Sequence, residues 1–462
     1  MTTALEAADL DAAMAGIVGA EHVLTGASVS EDYTHDECLT TDWAVPDAVV
    51  RPADTEQVAA ILRYCDGEQI PVTARGSGTG LSGAANPRSG GVLVSFERMN
   101  AILEVDTENH AAVVQPGVTL QELDAELAGH GLVYPVFPGE YSASLGGNVN
   151  TNAGGMRAVK YGVTRHNVLG LEMVLASGEV LRTGGKMVKS SSGYDLTQLV
   201  LGSEGTLALV TEATLKLHPR LDHAATVLAP FGTLDEVTQA VPRILDSGVA
   251  PMILEYIDII TMSAMSTAYD LHLGIPDEIR ETALAYLVVV LENADADRLD
   301  ADIESLGIHL SELGAVDVYV LPPQAATNII DAREKAFYLA KASGAQDIVD
   351  VVVPRAAIPA FMSRVEAIQA ETSSWIAGCG HAGDGNVHLG VFQDDPAKLE
   401  QVMTELFRVA QELGGAISGE HGIGAAKRHY YLQLEDPAKI ALMRRIKTAF
   451  DPNGILNPGA TI

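Results

Sequence analysis

Glycine clusters constrain this chain more than any other feature of its sequence. The 462 residues include 44 glycines, and most of them fall into five segments, 76–91, 139–155, 184–205, 378–390 and 414–424. A folded domain places glycine where the backbone needs a positive φ or must approach a ligand closely. The clusters therefore predict a large ligand that is held mainly by backbone atoms.

Charge and composition exclude several classes of function. The chain carries 29 basic and 61 acidic residues, a formal net charge of −32, so nucleic acid and acidic membrane surfaces are poor partners. Hydrophobic residues make up 47% of the chain, which excludes disorder as its main state. The length exceeds the roughly 250–300 residues at which one core stops growing, so we expect two or more domains.

Cysteine usage and the N-terminal sequence bear on the compartment. Cys38, Cys65 and Cys379 are too few and too scattered for a disulfide framework, which is typical of a reducing cytoplasm. The N-terminus lacks the basic region of a secretory signal. The apolar residues 12–20 are too short to span a bilayer and predict a surface helix. We therefore expect a cytoplasmic protein, and peripheral attachment to the inner face of the membrane stays open.

Secondary-structure patterns change along the chain. Residues 46–120 show short alternating helix and strand patterns, residues 168–183 predict a hairpin, and residues 207–217 predict a long strand. After residue 219 glycine becomes sparse, and amphipathic helices alternate with apolar strands, which indicates a second α+β domain. Around residue 414 the glycine-rich pattern returns.

The first glycine loop, residues 75–83, follows a predicted strand. Gly78, Gly80 and Gly83 match the G-x-G-x-x-G pattern, but a Rossmann site needs a helix directly after its glycines. Residues 86–91 read Asn-Pro-Arg-Ser-Gly-Gly, which is incompatible with a helix. We favour a nest of backbone N–H groups that binds an anion such as a pyrophosphate. A plain surface loop is the alternative.

The strongest local chemistry lies in residues 380–388, which read Gly-His-Ala-Gly-Asp-Gly-Asn-Val-His. Asp-Gly at 384–385 is typical of a two-residue type I′ hairpin turn. In that register His381 faces His388, with Cβ atoms roughly 4.5–5.5 Å apart, so the pair can share a metal. Two incidental strand histidines are the alternative. Residues 418–424 are predicted to supply a third ligand, and two histidines with one carboxylate suit catalytic Zn²⁺ or Fe(II), with Mn²⁺ a further option.

Three segments, residues 75–82, 145–155 and 201–206, resemble the FAD-binding domain of the vanillyl-alcohol oxidase superfamily, and the similarity continues through 189–196. The resemblance implies an α+β fold: a PCMH-type FAD-binding domain over 1–219 with its core from about 45, an α+β cap domain for the substrate over 220–413 that carries the metal hairpin, and a C-terminal segment over 414–462 that returns to the flavin. Because neither glycine loop contains His or Cys, we expect non-covalent FAD. The implied FAD-binding residues are Arg75, Gly76, Ser77, Gly78, Thr79, Gly80, Leu81, Ser82, Pro138, Gly139, Ser144, Gly146, Gly147, Asn150, Ala153, Gly154, Gly155, Glu204, Gly205, Val210 and Asn457.

The motifs at 380–388 and 418–424 resemble the FAD-linked 2-hydroxyacid dehydrogenases, which include D-lactate and D-2-hydroxyglutarate dehydrogenases and the FAD subunits of glycolate oxidase. The resemblance implies a general base at His421 and a partner for the substrate carboxylate at Arg333. Lys427 is either an additional anion contact or a solvated charge. The implied metal ligands are His381, His388 and Glu420.

The resemblance also implies a reaction. A D-2-hydroxyacid would be oxidised to the 2-oxoacid by metal-assisted hydride transfer to flavin N5, and a homodimer would pass the electrons to a quinone, a cytochrome or an electron-transferring flavoprotein, not to NAD. A D-lactate-like substrate is favoured because residues 345–349 lack the basic residue that the 2-hydroxyglutarate members carry there, although Lys335 or Lys341 could compensate. D-2-hydroxyglutarate and glycolate stay as alternatives. So do an FAD-containing non-redox transferase of the alkyl-glycerone-phosphate synthase type and a non-catalytic flavin subunit of an oxidase complex.

Overall fold

The computed structural model describes residues 4–462, with side chains from residue 9 onward. These residues form two compact units. The first unit contains the chain up to residue 153, residues 163–220 and residues 420–462, and the second contains residues 154–162 and 221–419. The last segment of the chain therefore packs with the N-terminal part of the chain.

Helices and strands alternate through both units. The described α-helices are α1 (Ala4–Val18), α2 (Thr55–Glu68), α3 (Leu120–Ala128), α4 (Leu145–Thr151), α5 (Ala158–Tyr161), α6 (Thr164–Asn167), α7 (Leu196–Val200), α8 (Leu234–Asp246), α9 (Ile259–Tyr269), α10 (Asp277–Arg280), α11 (Ala296–Glu312), α12 (Pro323–Glu334), α13 (Ala336–Ala342), α14 (Ile358–Thr372), α15 (Pro396–Glu412), α16 (Arg428–Leu434) and α17 (Pro437–Phe450). The described strands are β1 (Val23–Leu24), β2 (Ala48–Val50), β3 (Val72–Arg75), β4 (Val92–Ser95), β5 (Ile102–Asp106), β6 (Ala111–Val114), β7 (Leu132–Val133), β8 (Val168–Val174), β9 (Val180–Gly184), β10 (Leu209–Lys216), β11 (His218–Pro219), β12 (His223–Phe231), β13 (Ile253–Asp258), β14 (Ala285–Asn293), β15 (Tyr319–Val320), β16 (Asp347–Val352), β17 (Trp375–Gly380) and β18 (Asn386–Phe392).

The first unit is built on two main sheets. One has the strand order β1-β2-β4-β3, with β2 and β3 both parallel to β4. The other has the order β5-β6-β10-β8-β9 and is antiparallel, and β7 pairs with β11 beside it. Each main sheet has its own hydrophobic core. The predicted hairpin over 168–183 is confirmed as β8 and β9.

Local sequence explains α2, which was predicted from its N-cap. The Asp54 carboxylate accepts the backbone N–H of Gln57 at 2.8 Å, and the Gln57 side chain accepts the N–H of Ala53 at 2.8 Å, which satisfies donors that a helix start leaves open. Val58, Ile61, Leu62 and Cys65 form the buried face of the helix. The helix runs through Gly67 to Glu68 and is followed by Gln69 in a left-handed conformation.

The second unit is built on one seven-stranded antiparallel sheet with the order β15-β12-β14-β13-β17-β18-β16. The strand β14 is almost fully buried, as an apolar run predicts for a central strand. At the edge of the sheet, β15 has two residues. Among the described residues, no helix combines the length and the apolar character needed to cross a bilayer.

Residues 145–151 differ from the loop expected for the second glycine cluster, because they form the helix α4. The Ser144 side chain caps the helix by accepting the N–H of Gly147 at 3.3 Å. Leu145 and Val149 are fully buried in the core. Capping and burial together outweigh the low helix propensity of the Gly146-Gly147 pair, roughly 1 kcal/mol per glycine.

Candidate active site

The two N-terminal glycine clusters meet in the first unit. A Cβ added to Gly76 would lie 1.9 Å from Ser144 Oγ, so only glycine allows this approach. The N–H of Ser77 donates to Ser144 Oγ at 3.3 Å, and Ser77 Oγ donates to the carbonyl of Ser142 at 2.5 Å. The loop over 75–83 is therefore fixed against the start of α4. Larger side chains at Gly76 would prevent these contacts.

A groove of about 1150 Å³, measured to its open mouth, runs along these loops. Most of the residues predicted to bind FAD line it. They are Arg75, Gly76, Ser77, Gly78, Thr79, Gly80, Leu81, Ser82, Pro138, Ser144, Gly146, Gly147, Asn150, Ala153, Glu204, Gly205 and Val210. Gly139 and Asn457 do not line the groove, and Gly154 and Gly155 belong to the second unit.

Glu204 attaches the C-terminal segment to this groove. Its buried carboxylate accepts the N–H of Gly424 at 2.9 Å and the hydroxyl of Ser82 at 3.3 Å, and it also accepts the hydroxyl of Thr461. Burial raises the pKa of Glu204, against the lowering effect of these hydrogen bonds. The Asn457 amide donates to the carbonyl of Glu204 at 2.7 Å, which fixes its side chain, and its flavin contact stays a prediction.

Glu420 and His421 line the same groove as the glycine loops. Both belong to the first unit. Three residues after His421, the N–H of Gly424 donates to the Glu204 carboxylate and fixes the chain there. The sequence predicted His421 as a general base next to the flavin. The structure brings it to the surface that the predicted FAD-binding residues form.

The histidine hairpin belongs to the second unit, and its predicted register is wrong. Cys379, not His381, pairs with His388 in the ladder between β17 and β18. The turn contains five residues, 381–385, because the N–H of Gly383 donates to the carbonyl of Leu254 in β13 at 3.0 Å, not across the hairpin. The shift is two residues, an even number, so the side-chain faces are preserved. The His381 and His388 rings still lie 4.8 Å apart between centroids.

Each histidine of this pair faces a buried carboxylate through Nδ1. The distance from His381 Nδ1 to Glu255 Oε1 is 2.6 Å, and the distance from His388 Nδ1 to Asp350 Oδ1 is 3.7 Å. Metal-bound histidines usually turn their second ring nitrogen to a carboxylate or carbonyl in this way. The His381 contact has this form, and His388 belongs to a group of side chains that could hold a metal ion. Donor groups suited to a metal ion include Asp350 and His388 in the second unit and Glu420 and His421 in the first.

Asp350 is itself held by the two motifs that the sequence singled out. Asn386 of the hairpin donates to its Oδ1 at 2.8 Å, and the hydroxyl of Ser418 donates to its Oδ2 at 2.7 Å. The N–H of Gly419 donates to the Asp350 backbone carbonyl at 2.9 Å. All four residues belong to the second unit, and Gly419 directly precedes Glu420 in the chain.

Arg333, the predicted partner of the substrate carboxylate, lies in the last turn of α12 and is 7% exposed. Its Nη2 is 2.9 Å from Glu255 Oε2. Burial by itself would raise the pKa of Glu255, but His381 and Arg333 together hold that pKa below its ordinary value. The second unit thus contains a connected set of buried ionisable side chains, Arg333, Glu255 and His381.

Sequence reasoning missed Glu255 of this connected set, and it also missed Asp350, the carboxylate that faces His388. Glu255 interrupts the apolar sequence Ile-Leu-Glu-Tyr-Ile of β13, and Asp350 interrupts Ile-Val-Asp-Val-Val in β16. A single acid inside an apolar strand was the signal that could have found them, because a buried carboxylate needs charged or hydrogen-bonding partners. Asp36 was missed as well. It lines the flavin groove, and burial raises its pKa to about 6.

Two family profiles match the chain. One, described as "FAD binding domain", matches residues 46–184, and the other, described as "FAD linked oxidases, C-terminal domain", matches residues 220–461. The chain belongs to the FAD-linked oxidase family. The first match contains both glycine clusters of the groove, and the second contains the hairpin, Arg333 and His421. FAD is therefore the cofactor of this FAD-linked oxidase.

Curated relatives of this FAD-linked oxidase align over almost its whole length. An uncharacterized FAD-linked oxidoreductase of Mycobacterium tuberculosis (strain ATCC 25618 / H37Rv) is 60% identical over 98% of each chain. A D-lactate dehydrogenase of Anaerostipes hadrus is 38% identical over 96% of this chain and 95% of its own. The glycolate oxidase subunit GlcD of Bacillus subtilis (strain 168) is 38% identical over 90% of this chain and 89% of its own. The FAD-linked oxidase thus falls within the D-lactate, glycolate and 2-hydroxyglutarate dehydrogenase group.

Solved structures confirm the fold predicted from the resemblance. p-Cresol methylhydroxylase with bound substrate matches with a TM-score of 0.80 at 18% identity, over 99% of this chain and 97% of its own. An alkyldihydroxyacetonephosphate synthase matches with a TM-score of 0.72 at 18% identity, over 97% of this chain and 85% of its own. At this level of identity the similarity shows that the FAD-linked oxidase has the fold of the vanillyl-alcohol oxidase superfamily.

Proposed function

We propose that this protein is an FAD-linked D-2-hydroxyacid dehydrogenase that favours a D-lactate-like substrate. The observation that carries the proposal is the position of His421. A histidine that the family motif marks as a base lines the groove formed by the predicted FAD-binding loops. Imidazole titrates close to neutral pH and is the commonest general base in enzymes.

FAD would occupy the groove of the first unit without a covalent link. Glycine and small side chains make up much of the groove lining, beside charged residues such as Arg75 and Glu204. Neither glycine loop contains a His or Cys that could form a bond to the flavin. Bound FAD would supply the acceptor for the hydride that leaves the substrate Cα. The backbone of residues 76–80 would face the pyrophosphate, since consecutive N–H groups in a concave loop bind anions.

The protein side chains would bind and deprotonate the substrate. Arg333 would hold the substrate carboxylate, because a guanidinium presents paired donors that match a carboxylate. That contact fixes which face of Cα is presented and so sets the preference for the D isomer. His421 would take the hydroxyl proton as the hydride leaves Cα. The hydroxyl then becomes the carbonyl of the 2-oxoacid.

A divalent metal would be held by His381, His388 and Glu420. Support comes from the two carboxylates that face the histidines through Nδ1, and from the attachment of Ser418 and Gly419 to Asp350 one residue before Glu420. The ion, Zn²⁺ in the first instance and Mn²⁺ or Fe(II) otherwise, would supply Lewis-acid polarisation of the hydroxyl oxygen. Asp350 and Glu255 would orient the two histidines.

The substrate assignment depends on which Lys and Arg side chains lie near the proposed substrate-binding residues of the second unit. The strand β16 and the two residues before it contain no Lys or Arg. Lys335 Nζ lies 5.6 Å from the centre of the Tyr269 ring, and both Lys335 and Lys341 are exposed. A second carboxylate would therefore lack a buried cation among these residues, which favours lactate over 2-hydroxyglutarate. Glycolate, which has no side chain, is the second alternative.

The electron acceptor proposed with this function is a quinone, a cytochrome or an electron-transferring flavoprotein. The chain offers no second nucleotide-binding motif that would support NAD. We propose a homodimer in the cytoplasm, with peripheral contact to the inner face of the membrane if the acceptor is a quinone.

A steady-state assay tests the proposal. The purified holoprotein would be given D- and L-lactate, D-2-hydroxyglutarate and glycolate, each with an artificial dye as acceptor and, separately, with NAD. We expect the highest kcat/KM with D-lactate and dye, and no turnover with NAD. If none of these acids reduces the dye, the proposed function is contradicted, and a non-redox transferase or a non-catalytic flavin subunit is favoured.

A further inference from the structure

We infer that Glu255 is a positioning residue that holds the substrate-binding arginine and a metal-binding histidine with one carboxylate. The inference rests on the proposed function, because that function assigns the roles of Arg333 and His381. It adds a residue that lies outside both glycine-rich histidine motifs. It also predicts that the two roles are coupled through a single side chain.

Glu255 is fixed in the middle of a sheet. It lies in β13, which pairs with β14 on one side and with β17 on the other. The side chain is 0% exposed. Because backbone pairing on both sides immobilises the strand, the position of the carboxylate is set by the sheet and not by a loop.

The two carboxylate oxygens have different partners. Oε1 lies 2.6 Å from His381 Nδ1, and Oε2 lies 2.9 Å from Arg333 Nη2. His381 is contributed by the hairpin turn and Arg333 by the last turn of α12, so Glu255 connects two elements that are separate in the chain. A single rigid carboxylate therefore sets the orientation of both side chains.

Packing alone does not explain an acid at this position. A buried charge loses its hydration, and replacement of a buried ion pair by apolar residues is often neutral or stabilising. The neighbours of Glu255 on the same face of β13, Ile253 and Ile257, are buried and apolar. A third isoleucine would fit the pattern of the strand, so the carboxylate is better explained by what it orients.

The His381 contact has a chemical consequence. A carboxylate next to Nδ1 favours the tautomer that carries its proton on Nδ1, which turns Nε2 into the metal ligand and increases its basicity. The Arg333 contact uses Nη2 and stops the guanidinium from rotating about its stem. Loss of Glu255 should therefore weaken metal binding and substrate binding together.

The test compares Glu255→Gln with Glu292→Gln. Glutamine has the size of glutamate but lacks its charge. Glu292 is a matched control, because it is a half-buried carboxylate of the same unit that pairs with Lys160 at 2.9 Å and contacts neither His381 nor Arg333. Both variants would be purified as holoprotein and normalised to bound FAD.

Three measurements would be made on each protein: metal per FAD as purified, a Zn²⁺ titration after treatment with a chelator, which gives Kd, and steady-state kinetics with D-lactate, which give KM and kcat. For Glu255→Gln we expect a 10–100-fold weaker Zn²⁺ Kd, the range found when outer partners of metal-bound histidines are removed. We also expect KM to rise at least as much as kcat falls. Glu292→Gln should match the wild type in all three.

A purely structural role would appear differently. It would lower the melting temperature and the yield of folded protein in Glu255→Gln while leaving the Zn²⁺ Kd and KM per FAD-loaded molecule unchanged, and that result would overturn the inference. If Glu255→Gln does not accumulate as folded protein, Glu255→Asp provides the same test, because it keeps the charge but withdraws it by one methylene. Unchanged Zn²⁺ affinity and KM in Glu255→Asp would likewise overturn it.

Failure of the proposed function can be told apart from failure of this inference. If the wild type reduces no dye with any hydroxyacid, the function is wrong, and the Zn²⁺ measurement still reports on Glu255. If the wild type oxidises D-lactate and Glu255→Gln equals it in metal affinity and KM, only the inference is wrong.

Discussion

The groove of the first unit and the buried charged set of the second unit are built by opposite means. The groove is lined largely by glycine and small side chains, and an added methyl at Gly76 would collide with Ser144. The charged set is made of side chains that project from apolar strands and a helix, with Glu255 and Asp350 fully buried. One region is sensitive to added atoms, and the other is sensitive to lost charges.

The comparison teaches how binding and chemistry are divided in the molecule. A backbone surface can hold a cofactor through many weak contacts and has no group that titrates during a reaction. Charged side chains supply the groups that move protons or hold ions, but each must be compensated when buried. The groove also contains titratable side chains, and His421 lines it together with Asp36, Glu204 and Glu420.

The largest effect should come from His421. On the proposal that the groove binds FAD mainly through its backbone, His421→Asn should retain bound FAD yet reduce the flavin about 10²–10⁴-fold more slowly with D-lactate, the usual contribution of a general base. Anaerobic stopped-flow absorbance measures this rate. His130→Asn is the control, because His130 is an exposed residue of the same unit and lies 3.6 Å from the exposed Glu126. Loss of FAD from His421→Asn would show that the two functions are not separate.

An added methyl should break the groove and leave the charged set intact. Gly76→Ala forces Ser144 away from its N-cap position, which costs about 1 kcal/mol for the lost cap alone. Since 1.4 kcal/mol corresponds to a tenfold change in Kd, we expect FAD to bind about tenfold more weakly or worse. Gly67→Ala in α2 is the control, because its added Cβ would meet nothing within 4 Å. Equal FAD content in the two variants would refute the close-approach argument.

The smallest effect concerns a buried acid beside the charged set. Burial, followed by Asp331, raises the pKa of Glu334 to about 7. A carboxyl whose pKa is higher in the folded state than in the unfolded state destabilises the fold most above its folded-state pKa. The penalty shrinks as the pH falls below that value, and it is gone below the unfolded-state pKa. Glu334→Gln should therefore raise the free energy of unfolding by about 1–2 kcal/mol at pH 8 and by less at pH 5.5. Urea titrations at both pH values measure the difference, and a gain that does not depend on pH would show that Glu334 titrates normally.

The sequence predicted the groove better than the charged set, for a physical reason. Turn and loop residues such as glycine and proline report on the backbone of their own segment. The loop at 75–83, the absence of a helix directly after it and the hairpin of β8 and β9 could therefore be predicted from local sequence. The helix α4 could not, because the burial of Leu145 and Val149 depends on a core contributed by distant strands. The partners of Glu255 are likewise distant, and His381 lies 126 residues further along the chain.

The hairpin shows the same limit at short range. Asp384-Gly385 suits a two-residue turn, but the Leu254 carbonyl of a different strand binds the N–H of Gly383 and enlarges the loop to five residues. The proximity of His381 and His388 was predicted, although from a register that is wrong by two residues. Tertiary contacts, not local turn preference, set the position of the histidines.

The most direct test of the central claim is the stereospecific reduction of the bound FAD. The purified holoprotein would be mixed without oxygen with D-lactate and, separately, with L-lactate, and the visible absorbance of the oxidised flavin would be followed through a single turnover. We predict full bleaching by D-lactate, with formation of one pyruvate per FAD, and no bleaching by L-lactate on the same timescale. No bleaching by D-lactate, D-2-hydroxyglutarate or glycolate would contradict the account.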